Sequence, residues 1–278
     1  MDTAQLFQGR KLDEAAIKYI AAVTMLIDHI TCGILEVGRT QGGQRLMDIV
    51  PGADFWDSFG RSVGRTAFPI FLFFLVEGYL YTRSRKKYLG LLLVFAALAY
   101  LPFKRLVFPG AAGLRCNTLF TLSLGMAAIW AIDELAAVLK VKRRLLPVRT
   151  HVLAREGESI DPPAKGQPVR IAVLAAGGAA VTAVCCYAAR MIHSDYSYGG
   201  VLAVVILYVL YRYRAASLLL TWCWLSYYNS YELLSIVGFG LLLCYNGLRG
   251  KQNKYLFYSF YPGHLLLIWL IRLAVLGA

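Results

Sequence analysis

Apolar residues in this chain fall into long runs broken by short polar turns. Nine runs fit helical spans, at 17–37, 66–82, 88–108, 117–139, 170–192, 199–214, 215–229, 231–246 and 255–276. Most approach the roughly 20 residues that cross about 30 Å of hydrocarbon. Runs six to eight are short and closely joined, so tilted, half-inserted or merged helices also fit and eight to ten spans are expected. The predicted fold class is all-α, a polytopic membrane helical bundle of about nine transmembrane helices, read as one domain over 1–278.

Composition agrees with that reading. Hydrophobic residues make up 58% of the chain and charged residues only 16%, against about a quarter charged in soluble domains, which excludes an ordinary soluble enzyme. The net charge of +13, from 29 Lys and Arg against 16 Asp and Glu, would suggest nucleic acid in a soluble protein. In a bilayer it is better explained by basic residues collecting in cytoplasmic loops. With the N-terminus in the cytosol, 20 of the 29 basic residues fall inside, so the expected orientation is N-terminus in and, with nine spans, C-terminus out. Nucleic acid is not an expected partner; the lipid bilayer is.

The six cysteines form no CxxC pair and no metal-ligand spacing, and they read as small packing residues. Arg10, Lys11 and Lys18 before an apolar run resemble a signal peptide, but Asp28 and His29 inside the run argue for a retained first helix. Two connections are long. The segment 141–168 is basic and holds four prolines, which reads as a mobile cytoplasmic loop and a solvated linker. The outer loop 38–65 holds Phe55, Trp56, Phe59 and Val63 near helical spacing. An amphipathic helix over 54–65 would put Arg61 and Arg65 on one face, towards the mouth of the bundle. No internal repeat is evident, which disfavours a secondary transporter.

Ionisable residues inside the runs carry the candidate chemistry. At about 1.5 Å per residue, Asp28 and His29 lie roughly 16 to 18 Å from the inner end of the first span, Glu77 about 16 Å from the outer end of the second, and His264 about 14 Å from the inner end of the last. All four are expected near mid-bilayer, where a charge costs at least about 2.5 to 3.5 kcal/mol and marks an interior or wet site. A protonated Glu77 bonded to a neighbouring helix, or a His264 satisfied by packing, is the plain alternative. Asp28 and His29 point about 100° apart and need separate partners. HExxH is absent, and Ser159 after Gly157 lies in the long loop rather than a nucleophile turn, so metal or serine hydrolysis is not expected. A general base or proton relay needs only a histidine and an orienting group.

Further polar groups sit at helix ends. Asn117, Asp195 and Tyr198 are expected at the outer face. At the inner face, Asn246, Arg249 and Lys251 mark a glycine turn followed by Tyr261. Such a turn suits an anion such as a nucleotide phosphate, and a plain positive-inside loop explains its charges equally well.

Six stretches in order, KYIAAVTMLIDHIT (18–31), VGRTAFPIFLFFLVEGYLYTR (63–83), NTLFTLSLG (117–125), DYSYGGVL (195–202), YNGLRG (245–250) and YLFYSFYPGH (255–264), resemble the TraX family, named for F-pilin acetylation, within the wider transmembrane acyltransferases. The resemblance covers the membrane portion and not 141–168. It implies a bacterial cytoplasmic-membrane enzyme that moves acetyl from cytosolic acetyl-CoA to an amine or hydroxyl of an extracytoplasmic acceptor, a pilin-like N-terminus or a surface glycan. His29 would be the base, with Asp28, Glu77 and His264 beside it. Arg65, Asn117, Asp195 and Tyr198 would hold acceptor or oxyanion, and Arg83, Asn246, Arg249, Lys251 and Tyr261 the CoA. No metal is expected. The competing readings are a proton-coupled transporter or flippase and a non-catalytic scaffold. The enzyme reading requires ionisable groups of the first, second and last helices to converge on a tunnel open to both compartments.

Overall fold

The computed structural model describes residues 11–141 and 167–276; most of the predicted loop 141–168 lies outside them. In chain order the helices are α1 (Glu14–Ile30), continued by a wider π turn (Thr31–Glu36), α2 (Leu46–Ile49), α3 (Ala53–Gly64), α4 (Ala67–Tyr81), α5 (Arg85–Val107) and α6 (Thr118–Val138). Then follow α7 (Gln167–Met191), α8 (Ser197–Val209), α9 (Arg214–Tyr228), a 3₁₀ turn (Ser230–Ser235), α10 (Ile236–Leu243) and α11 (Lys254–Leu276). The fold is all-helical, with no strand among the described residues.

Six spans in the described residues are long and apolar enough to cross a membrane: α1 with its π turn, α3 with α4, α5, α6, α7 and α11. The predicted runs 199–214, 215–229 and 231–246 fold as shorter helices. Thirteen residues of α8 reach only roughly 20 Å, short of the hydrocarbon thickness. The chain is a multi-pass membrane protein.

Successive spans reverse direction, so the bundle has two faces, here called proximal (where α1 begins) and distal. α1 is fixed at the proximal face by Asp13, whose carboxylate accepts from the Ala16 amide at 2.8 Å, and by the Asn246 amide donating to the Leu12 carbonyl at 2.8 Å. Gly250 has φ +66°, and a side chain there would also collide with the Asp13 carboxylate. α5 is capped by Ser84. A second proximal tie joins four helices: Asp133 of α6 accepts from Tyr79 of α4 at 2.8 Å, Tyr208 of α8 at 2.5 Å and Arg85 of α5 at 2.5 Å.

α4 is hydrophobic on every side (AFPIFLFFLV) and is the most buried helix, as an all-round apolar helix must be. α1, α6, α8 and α10 pack around it. Small residues set the close approaches. A side chain at Gly125 would meet Val204 between α6 and α8, and one at Gly238 would meet the α4 entry at Thr66. At the distal face Arg272 of α11 is buried and donates to the carbonyls of Gly33, Leu106 and Arg105 at 3.0, 2.8 and 2.5 Å. It satisfies carbonyls left over at the π turn and the end of α5, where the helix dipole favours a cation.

Candidate active site

Asp28 and His29 end α1 just before the π turn, an element frequent at functional sites. Each has its own partner. His29 Nδ1 lies 2.7 Å from His264 Nε2, with the rings stacked at 4.9 Å. His264 Nδ1 lies 2.6 Å from the Phe260 carbonyl oxygen. A carbonyl can only accept, so His264 Nδ1 carries a proton; for two neutral imidazoles His264 Nε2 then accepts, and His29 Nδ1 donates. His29 Nε2 is left as a lone pair with no partner among the described residues. Both rings are buried, and His29 lines a large cavity. His29 is thus held in one tautomer by a second histidine, which is held in turn by its own helix.

Asp28 meets the helix that the 54–65 periodicity predicts. Arg61 donates to it at 2.9 Å, and Arg65 approaches at 3.6 Å. Arg65 also donates to Glu232 at 2.9 Å and to the Tyr196 hydroxyl at 3.4 Å, and Arg61 reaches Glu36 at 3.6 Å. Gly60 and Gly64 permit the approach of α3 to α1, because side chains there would collide with Thr31 and Asp28. Arg65 is therefore held by Glu232, Tyr196 and Asp28 while its side chain still lines the large cavity. Glu232, completely buried, was not singled out from the sequence. Its signal was available: it is the last acidic residue of the chain, at the start of an apolar run.

Tyr196 belongs to a strained turn in which His193, Tyr196 and Ser197 have φ of 47°, 59° and 40°. Such a conformation costs of order 1–3 kcal/mol per residue and persists only where the surroundings enforce it. Here the Asp195 amide donates to the Cys116 carbonyl at 2.9 Å, Thr118 donates to the Asp195 carboxylate at 2.6 Å, and the Thr121 hydroxyl bonds the Asp195 carbonyl. The turn stacks Tyr196 on Phe68 at 3.5 Å. Burial pushes the Tyr196 phenol well above its ordinary range, so it meets Arg65 as a neutral hydroxyl.

The cavity has a volume of about 1130 Å³ and is lined along α4 from Ala67 to Thr82, roughly 22 Å of helix. Its distal end holds Asp28, His29, Arg61, Arg65, Asp195 and Tyr196; its middle is apolar and aromatic, with Phe71, Phe74, Leu92 and Phe257. Its proximal end holds Lys18, Glu77, Arg83, Lys87, Arg249 and Gln252. Lys18 pairs with Glu14, whereas Arg83, Lys87 and Arg249 make no ion pair among the described residues. This unneutralised cationic mouth suits a polyphosphate.

Several predicted residues lie elsewhere. Glu77 does not join the histidines. Gly64, which abuts Asp28, precedes it by about 13 residues, or roughly 20 Å of helix, so two clusters occupy opposite ends of one cavity. Glu77 accepts from Tyr211 at 3.0 Å; burial, then the nearby carboxylate, pushes that phenol well above its usual range and keeps it a donor. Tyr261, expected with the CoA residues, lies beside the histidines, its ring 6.4 Å from His29 and 5.8 Å from His264, because it is two turns inside α11. Asn117 caps α6, accepting from the Leu119 amide at 3.1 Å and donating to the Ala96 carbonyl at 2.8 Å; it is spent on tying α5 to α6. Tyr198 faces a separate groove and packs edge-on against Tyr228 at 4.9 Å. Asn246 builds the α10–α11 turn, and Lys251 is exposed beside it, while their neighbours Gly247 and Gln252 line the cavity.

Fold and site together define a multi-pass helical membrane protein with a buried histidine pair at one end of a deep cavity and free cations at the other. The family described as TraX protein matches residues 13–272, and the chain belongs to that family. It is 33% identical over 132 residues to a Dichelobacter nodosus protein named "Probable fimbrial assembly protein FimC, serogroup H1", a match covering 44% of this chain and 48% of that one. The chain thus spans about half the length of this curated relative. No solved structure matches.

Proposed function

We propose that the protein is a membrane-embedded acetyltransferase that takes acetyl-CoA at the proximal face, in the cytosol, and acetylates an amine or hydroxyl presented at the distal face. The observation that carries this reading is the His29–His264–Phe260 chain, which leaves Nε2 of the cavity-lining His29 available as a base. The cavity fits the donor in kind: cations for its phosphates at the mouth, an apolar corridor for its arm, and a base at the far end. The fimbrial relative supports a pilin-like acceptor, and a surface glycan would use the same chemistry.

His29 Nε2 takes the proton from the acceptor as the acceptor nitrogen or oxygen bonds the acetyl carbon. The C–S bond then breaks, and the departing thiolate recovers the proton from His29. His264 stabilises the charged form of His29 through Nδ1, and the Phe260 carbonyl holds His264 in register. A positioned base of this kind contributes typically about 10²- to 10⁴-fold in rate. Asp28 is bound to two arginines, which suits it to fixing α3 against α1 rather than to proton transfer.

The test is incubation of the full chain in liposomes with labelled acetyl-CoA and a native membrane fraction. Label in an envelope protein or glycan, abolished by His29→Ala, is expected. An unlabelled fraction, together with solute movement driven by a pH gradient, would replace this reading with a proton-coupled transporter.

A further inference from the structure

A second cavity lies on the opposite side of the bundle. It is a groove of about 810 Å³ between α7 and α8, floored by Ile132 of α6. Small residues at helical spacing on α7, among them Ala175, Gly178, Ala179 and Ala183, hollow it out, and Leu202 and Val205 of α8 form the other wall. Its few polar atoms are already used. The Thr182 hydroxyl bonds the Gly178 carbonyl at 2.7 Å, and Cys186 Sγ lies 3.8 Å from the Tyr198 carbonyl. A slot with no free polar group does not hold ordered water and takes an apolar filling.

The distal end of the groove differs. Arg190 in the last turn of α7 lines it together with Tyr187 and Tyr198. Arg190 is exposed and has no carboxylate partner among the described residues. From Ile171 to Arg190 the groove follows about 19 residues of α7, roughly 28 Å, close to the hydrocarbon thickness. A cation between two phenols at the level where the apolar slot ends is the arrangement expected for a headgroup phosphate at an interface.

We propose that this groove is a binding site for a glycerophospholipid with an anionic headgroup, its phosphate on Arg190 and one acyl chain along the small-residue face of α7. Charge complementarity decides the occupant: a second copy seated by its own α7 would bring another Arg190 or leave this one uncovered. The site is separate from the histidine pair and does not depend on the acetyltransfer reading.

Native mass spectrometry of the full chain, delipidated and then offered dioleoylphosphatidylglycerol or dioleoylphosphatidylcholine, tests this. Phosphatidylglycerol should be retained in preference. Arg190→Gln should weaken it about fivefold, as expected for one interfacial cation, and Arg190→Lys should restore it. Ala179→Trp, which fills the slot from an exposed position, should remove retention of either lipid while leaving the labelling reaction intact. Equal retention by the parent, Arg190→Gln and Ala179→Trp chains would overturn the proposal. So would disulfide capture of a second copy between cysteines placed at Ala183.

Discussion

The two ends of the large cavity are built on opposite principles. At the distal end nearly every polar group is committed: His29 to His264, Asp28 to Arg61 and Arg65, Arg65 to Glu232 and Tyr196. At the proximal end Arg83, Lys87 and Arg249 line the mouth without ion-pair partners among the described residues. Networks of satisfied buried groups are stiff, because moving one member leaves another unpaired in a low-dielectric interior. Free cations at a mouth instead supply attraction that tolerates motion. Under the proposed function, the contrast suits geometry-demanding chemistry at the distal end and capture of a flexible anion at the proximal end.

The largest effect that separates the ends is expected at His29. His29→Ala should lower acetyl transfer by about 10²- to 10⁴-fold without changing binding of acetyl-CoA, read as kcat against KM. A His29→Ala protein that transfers at the parent rate would remove the base from the distal end. Next is Arg65→Met, which strands Glu232 and half of the Asp28 pairing. Breaking a buried pair costs about 3–5 kcal/mol, so the thermal unfolding midpoint in detergent should fall sharply. Arg65→Lys should rescue poorly, since one ammonium cannot span partners on α1, the 3₁₀ turn and the 193–197 turn.

Much of this arrangement is legible in the chain itself, and the limit is physical. Apolar length identifies α4 and α11 because a long apolar run with a single formally charged residue such as Glu77 or Arg272 inside it has few alternatives in lipid. The 3.6 periodicity of Phe55, Trp56 and Phe59 finds α3 and hence delivers Arg61 and Arg65. Depth along one's own helix, however, does not fix the level of one helix against its neighbour. Asp28 and Glu77 each sit mid-run, yet the α1–α3 contact at Gly64 places them about 20 Å apart. Asn117 looks functional in a string of letters because capping and catalysis favour the same residue types. Glu232 stands out as the last acidic residue of the chain, but its pairing with Arg65, 167 residues away, is one that only the fold reveals.

A smaller test targets the close packing that keeps the distal end stiff. Gly64→Ala forces the Asp28 side chain aside and should slacken α3 against α1, reducing transfer while leaving acetyl-CoA binding as it was. Overpacking of this kind costs typically about 1–3 kcal/mol, seen as a lowered unfolding midpoint. If Gly64→Ala altered acetyl-CoA binding instead, the division of labour between the ends would be wrong.

The smallest effect is expected at the proximal mouth. Each of Arg83, Lys87 and Arg249 acts through solvent-screened attraction, so a single change to Gln should raise KM for acetyl-CoA only a few-fold and leave kcat unchanged. The parent's KM should rise with salt, since the attraction decays over about 10 Å at 0.1 M salt, and the triple change should abolish that dependence. Loss of kcat with KM preserved would mean that these cations reach the reacting atoms. In that case the apolar corridor past Phe71 and Phe74 would not separate capture from chemistry, and the two ends would have to be read as one site.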